Sequence, residues 1–411
     1  MEYLFQRIER LSRFESPTIN DWIIYFTAFI IIQIPAIFNF YDNTGGNNPY
    51  ILFAQSLLNG DLAIWPSIKL GDLIYFENHY YLPYPPLPSI ILLPFVALLG
   101  PSHVNTVAVA TVLACISLYL MYKIFLRLQI ASEYFGWMML AVFFGTGYWF
   151  AIFTSHHVYA FAQITSFLFQ LLLIYELLGR RRWWLVGIYI GCAFMSRQLT
   201  IFYFLFAVGY MFYLHRSKLE KITFRNFLAL CSTLAVFVAI DLGYNYLRFG
   251  NPLNTGYAHI VFIGVLNERV SQYGVFSVKY FLFNLYSVLI KGFNIEFEGN
   301  AYLKIKDMDL WGTSLIAASP FLVASIKAVW PSILKISAWV TILVILTSQL
   351  FYHNNGFHQI NTTRFSLDFL PMLIVLTALG ARHIPKWLFK GMIGYAIILN
   401  VISFVVHYLY Q

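Results

Sequence analysis

The chain has 411 residues, of which 60% are apolar, 19% aromatic and only 11% charged, with a formal charge of +8 and a mean hydropathy of +0.68. Ordinary soluble domains carry roughly 25% charged residues, so a water-soluble globular fold is excluded. Disorder, collagen and a disulfide scaffold go with it, because the chain is too apolar, lacks a glycine period and has 3 cysteines. What remains is an all-α polytopic membrane protein, since the ten-residue alternation of a barrel is missing and backbone in lipid must be paired within its own segment.

In chain order, residues 1–21 place Leu4, Phe5, Ile8, Leu11 and Phe14 on one helical face with Arg7, Arg10 and Arg13 near its edge. This predicts a cytoplasmic in-plane helix, too charged for a cleavable signal peptide. Residues 22–411 form a single membrane domain. Apolar runs of the length that crosses roughly 30 Å of hydrocarbon place about eleven transmembrane helices, near 22–40, 104–122, 135–153, 158–178, 183–196, 199–214, 226–246, 311–329, 333–352, 366–381 and 391–408. Cys115, Cys192 and Cys231 fall inside these runs and read as small core residues.

Two loops on one side, 41–103 and 247–310, are too long to be mere connections and mark the side where a site belongs. In the first, Asn47 to Leu58 is amphipathic and Pro86 to Leu99 is an apolar run too short to span, so both are expected to lie in or along the membrane plane. Between them, Tyr75 to Pro88 is rich in aromatics and prolines and is expected to be an extended rim facing a lipid or a sugar. Aromatics enrich every membrane interface, so an anchoring role for this rim stays open.

With the N-terminus inside, seventeen cations fall on the cytoplasmic side and nine outside, namely Lys69, Arg197, Arg248, Arg269, Lys279, Lys291, Lys304, Lys306 and Arg364. That asymmetry fixes the expected orientation. It also explains the basic pI of about 9.2 as topology, so nucleic acid is not implied as a partner.

Asp42 ends the first span just before Thr44-Gly45-Gly46. A carboxylate at a helix C-terminus faces the negative end of the macrodipole, and desolvation beside a membrane adds to the cost. Partial burial would raise its pKa toward the range of a general base; the alternative is an exposed aspartate opening a turn. Arg364 opens the tenth span beside His353, His358 and Asn361, and a guanidinium fork suits phosphate. Arg248 and Arg197 are the other candidates, each with an interfacial-anchor alternative. His156 and His157 lie between the third and fourth spans; adjacent helical residues diverge, so no metal pair is expected. Glu77 and Asp72 are further carboxylates of the first loop, and Asp241, within a span, needs a partner.

The pattern resembles a known family. The acid ending the first span, Leu57-Leu58-Asn59-Gly60-Asp61, Tyr80-Tyr81-Leu82-Pro83-Tyr84-Pro85-Pro86-Leu87, Tyr244 to Leu253 with Thr255-Gly256-Tyr257, and Thr363 to Pro371 are similar to segments of the GT-C glycosyltransferases. The nearest branch is that of the protein O-mannosyltransferases and lipid A aminoarabinose transferases. The first-loop Asp-Glu pair of the mannosyltransferase branch is here Asp42-Asn43, which leaves sugar and acceptor open.

The resemblance implies a membrane glycosyltransferase that moves a sugar from a polyprenyl phosphate donor to an acceptor hydroxyl by single displacement with inversion. Asp42 is then the base, Arg364, Arg248 and Arg197 hold the donor phosphate, and Glu77, His79, Tyr81, Tyr84, His156, His157, Tyr257 and His358 line the substrates. No cofactor and no obligatory metal are implied. The partners are the lipid-linked sugar, membrane lipids and a lipid-linked glycan, polysaccharide or protein acceptor. The location is the plasma (inner) membrane with the site on the outer face. A lipid-linked sugar flippase or transporter, or a polysaccharide polymerase or ligase, would also need many spans. The first predicts charges at several midplanes and an inverted repeat, the second a denser arginine cluster.

Overall fold

The computed structural model describes residues 19–38, 47–65, 73–262, 264–356, 359 and 361–410. Helix α1 (Ile19–Phe38) is followed by α2 (Pro49–Leu58), a hairpin of β1 (Ile74–Phe76) and β2 (His79–Tyr81), and α3 (Leu87–Leu99). Asn48 caps α2 ahead of Pro49, accepting from the Tyr50 amide at 2.9 Å. The two short apolar helices expected in the first loop are therefore present, but the stretch read as an extended rim folds back on itself. Glu77 and Asn78 at its tip have φ of 47° and 66°, the left-handed pair that a two-residue hairpin turn requires.

Helix α4 (Thr106–Arg127) starts at Asn105, whose side chain accepts from the amides of Val107 and Ala108. Then come α5 (Ser132–Phe144), α6 (Tyr148–Phe153), α7 (Val158–Leu177), α8 (Trp183–Phe194), a 3₁₀ turn (Gln198–Phe202) running into α9 (Tyr203–Arg216), and α10 (Phe224–Phe249). The second loop carries α11 (Gly264–Tyr273), α12 (Phe281–Leu285) continuing as a π turn (Tyr286–Ile290), and a hairpin of β3 (Ile295–Glu298) and β4 (Lys304–Met308). The chain ends with α13 (Leu315–Ala318), a 3₁₀ stretch (Pro320–Lys327), α14 (Ser332–Leu350), a 3₁₀ turn (Arg364–Asp368), α15 (Leu370–Gly380) and α16 (Lys386–Tyr410).

Among the described residues 7 helices are long and apolar enough to cross a membrane. They correspond to seven of the eleven expected spans. The other four are shorter or broken: 135–153 is interrupted at Gly145-Thr146-Gly147, 183–196 is the twelve-residue α8, 311–329 is α13 plus a 3₁₀ stretch, and 366–381 begins as a 3₁₀ turn.

The break at Gly145-Thr146-Gly147 is tolerated because polar side chains take up the freed carbonyls, as backbone in a dry interior demands. Asn400 of α16 donates to the carbonyls of Phe144 at 2.6 Å and Thr146 at 3.2 Å, and Ser319 donates to that of Gly145 at 2.5 Å. The Asn400 amide oxygen in turn accepts from Asn361 at 2.6 Å. The core sits around α7, which packs on α4 and α8 and buries Phe161, Ile164, Phe167 and Leu171 completely.

Candidate functional site

The site forms where the segment after α8, the end of α14 and the turn leading into α15 come together, at the end of the bundle that carries the two long loops. Arg197, just after α8, pairs with Asp368 through two parallel hydrogen bonds, Nε to Oδ1 and Nη2 to Oδ2, each 2.9 Å. The carboxylate is 1% exposed and the guanidinium side chain 21%. Burial pulls the Arg197 guanidinium down, but the carboxylate beside it outweighs burial and holds its pKa above the ordinary value.

Asp368 closes a 3₁₀ turn that Arg364 opens, and three glutamines, on α7, on α14 and in the loop before the turn, hold it. Gln163 of α7 donates to the Arg364 carbonyl at 2.8 Å. Gln349 of α14 donates to the Phe365 carbonyl at 3.0 Å and to Asp368 at 3.1 Å. Gln359 accepts from the Arg364 amide at 2.8 Å and donates to the Trp311 carbonyl. The Arg364 guanidinium lies 3.9 Å above the Tyr159 ring and donates to the Gly356 carbonyl at 2.9 Å. Burial lowers its pKa; Tyr159 opposes the shift and neighbouring Arg197 adds to it.

Tyrosine hydroxyls complete the cluster. Tyr257, from the second loop, and Tyr352, after α14, hydrogen-bond each other beside Arg197, and burial raises both phenols, Tyr352 the more strongly. They therefore remain protonated donors. Tyr84 lies within the electrostatic reach of Arg364, and its segment is anchored where the Leu87 amide donates to the Met195 carbonyl.

Of the residues singled out from the sequence, Arg197, Arg364, Tyr84 and Tyr257 are thus brought together. His156 and His157 lie on the flank: His157 stacks on Tyr159 at 5.1 Å, and Asn48 donates to the His156 carbonyl. The two imidazoles were expected to diverge as on a helix. They occupy a turn instead, and their rings pack 4.1 Å apart. Among the described residues no group of three or more His, Cys, Asp or Glu is arranged to hold a metal.

Arg248 belongs to a neighbouring cluster. Its nitrogens donate to the carbonyls of Leu82 and Tyr244 and to Asn245, with the guanidinium 3.6 Å over the Tyr244 ring. Its bonds tie the end of α10 to the first loop, and its field reaches the buried Asp241. Tyr81 packs on Phe249 in the same cluster, His79 on Trp65, and Glu77 is exposed at the hairpin tip. Asp42, Asp72 and His358 lie outside the described residues.

Sequence reasoning missed Tyr159, Tyr352, Asp368 and the three glutamines. The signal was available in part: Gln163 and Gln349 are polar residues inside apolar runs, and Arg364 and Asp368 are one helical turn apart.

The class defined by these features is a polytopic, all-α membrane fold with a guanidinium-rich polar cluster at the end bearing the long loops. In particular, the fold is similar to that in the crystal structure of ArnT from Cupriavidus metallidurans bound to undecaprenyl phosphate, with a TM-score of 0.52 and 13% identity over 93% of this chain. The chain covers 64% of the length of that protein. No protein-family profile and no curated protein sequence matches this one.

Proposed function

We propose that the chain is a membrane glycosyltransferase that takes a sugar from a polyprenyl phosphate donor and transfers it, on the outer face, to an acceptor hydroxyl. The reading is carried by one observation: two guanidinium groups and two half-buried tyrosines converge in a fold similar to that of a protein solved with undecaprenyl phosphate bound.

The acceptor oxygen attacks the anomeric carbon, the bond from that carbon to the phosphate oxygen breaks with its electron pair going to phosphate, and configuration inverts. The acceptor proton passes to a carboxylate, for which Asp42 is the candidate, and then to solvent. Asp368 is held by Arg197 and Gln349 and is not available as that base. The phosphodiester carries one negative charge and the departing monoester approaches two. Arg364 and Arg197 would therefore bind the transition state more tightly than the ground state. This displacement needs neither a metal nor a covalent sugar intermediate.

The test is an assay of purified protein with a panel of polyprenyl phosphate sugars and candidate acceptors. Asp42→Asn should abolish transfer while donor binding persists; undiminished turnover removes the base assignment. Arg364→Ala should weaken donor binding at least tenfold, the loss of roughly one charge-assisted interaction. Unchanged affinity would show that the phosphate binds elsewhere.

A further inference from the structure

At the opposite end of the bundle, a second cluster of charge is built by close helix packing. On α8, Gly187 and Gly191 are four residues apart and face α10. A Cβ at Gly187 would collide with the Thr233 hydroxyl and the Leu230 carbonyl, and one at Gly191 with the Phe237 ring. This small-x-x-x-small spacing lets the two helices approach, and so brings the loop before α8 against the loop before α10. Arg181 and Glu220 bridge the two loops at 3.3 Å.

The acids here are already committed. Glu176 accepts from the Arg182 amide at 2.9 Å and from its guanidinium at 3.0 and 2.9 Å, and Glu220 takes Arg181. Left over are Arg180, Arg216, Lys218, Lys221 and Arg225, all exposed and with no ion-pair partner among the described residues. Exposed rings lie within a turn of these cations: Trp184 (48%), Phe212 (53%) and Phe224 (78%). Aromatics at helix ends mark the headgroup level of a bilayer.

We infer that these two loops form a binding site for anionic phospholipid headgroups, with the five cations contacting phosphate and the three rings seated among the upper acyl chains. The inference is independent of the proposed transferase activity, which uses the other end of the molecule. A scattered excess of positive charge would attract an anionic surface only diffusely; here the glycine contact and the Arg181–Glu220 bridge hold the cations of two loops together. Each juxtamembrane cation contributes about fivefold to such binding.

The full chain would be reconstituted in phosphatidylcholine nanodiscs doped with phosphatidylglycerol. Retained lipid is counted by native mass spectrometry and thermal unfolding is followed in parallel. Phosphatidylglycerol should be retained and should raise the melting temperature. The double variant Arg180→Gln with Lys218→Gln should weaken retention about 25-fold while melting as the wild type does in pure phosphatidylcholine. Lys327→Gln with Arg382→Gln removes two exposed cations expected at the same membrane face but outside the two loops, and should change retention little. Equal loss in both double variants would mean diffuse attraction and overturn the site. Protection by inorganic phosphate alone, or retention of phosphatidylcholine as strong as that of phosphatidylglycerol, would overturn the lipid assignment.

Discussion

Asp368→Asn tests whether the buried carboxylate positions Arg197 or merely cancels its charge. The substitution keeps the side-chain shape and one acceptor but removes the negative charge from a group that is 1% exposed and doubly bonded to a guanidinium. Removing one partner of a buried ion pair costs roughly 3–5 kcal/mol, and the retained acceptor places the loss near the lower figure. Unfolding in detergent or nanodiscs should register it directly. Donor binding discriminates more sharply, because the two accounts differ in sign. If Asp368 only neutralises Arg197, removing it adds one net positive charge and tightens binding of an anionic phosphate. If it aims the guanidinium, Arg197 loses its fixed geometry and the donor loses about one charge-assisted hydrogen bond. That bond is worth about 1.5–3 kcal/mol, or tenfold to 100-fold in Kd. The second outcome is expected. A donor affinity equal to or tighter than that of the wild type would refute the positioning argument, and Gln349→Leu combined with Asp368→Asn should be non-additive because both act on the same carboxylate.

Two further predictions concern stability. His353 is buried and packs against Phe262 and Tyr352, and burial pushes its pKa down to about 4. Its unfolded value is 6.5, so the unfolded chain binds a proton that the folded chain refuses. The contribution to stability is full above pH 6.5 and is lost as pH falls toward 4, by about 3 kcal/mol in all. Unfolding midpoints measured across this window should show that slope, and His353→Asn should flatten it; an unchanged slope would place its cause elsewhere. Gly187→Leu should lower the melting temperature through a collision costing about 1–3 kcal/mol or more, whereas wild-type melting would show that α8 and α10 can separate freely.

Much of the architecture is legible from apolar runs alone because length and hydropathy report directly on bilayer crossing. The seven long helices and the two short helices of the first loop follow from that rule. It fails where the chain departs from one continuous helix. Gly145-Thr146-Gly147 lies within a stretch apolar enough to pass for a span, and the break is stable only because residues more than 170 positions later satisfy it. The hairpin at Ile74–Tyr81 was hidden for another reason. Its turn is Glu77-Asn78 rather than the Asn-Gly pair that advertises such a turn, so local chemistry gave little warning. For the site, charge was the readable part: Arg197 and Arg364 stand out in an apolar sequence. Tyr159 and Tyr352 do not, since tyrosine is common here, with 29 copies, and a stacked or buried ring is indistinguishable from an interfacial one until the helices are in place.

Asn400 couples the order of synthesis to the integrity of the interior. The carbonyls of Phe144 and Thr146 wait for a donor 256 and 254 residues further along the chain. Until α16 has been made, those oxygens lack this donor, and wherever hydrocarbon surrounds them each unpaired group costs several kcal/mol. Helix α16 is therefore the fastener that closes this break on insertion. A nascent chain halted before α16 should be held by the insertion machinery or degraded, instead of accumulating as a folded intermediate.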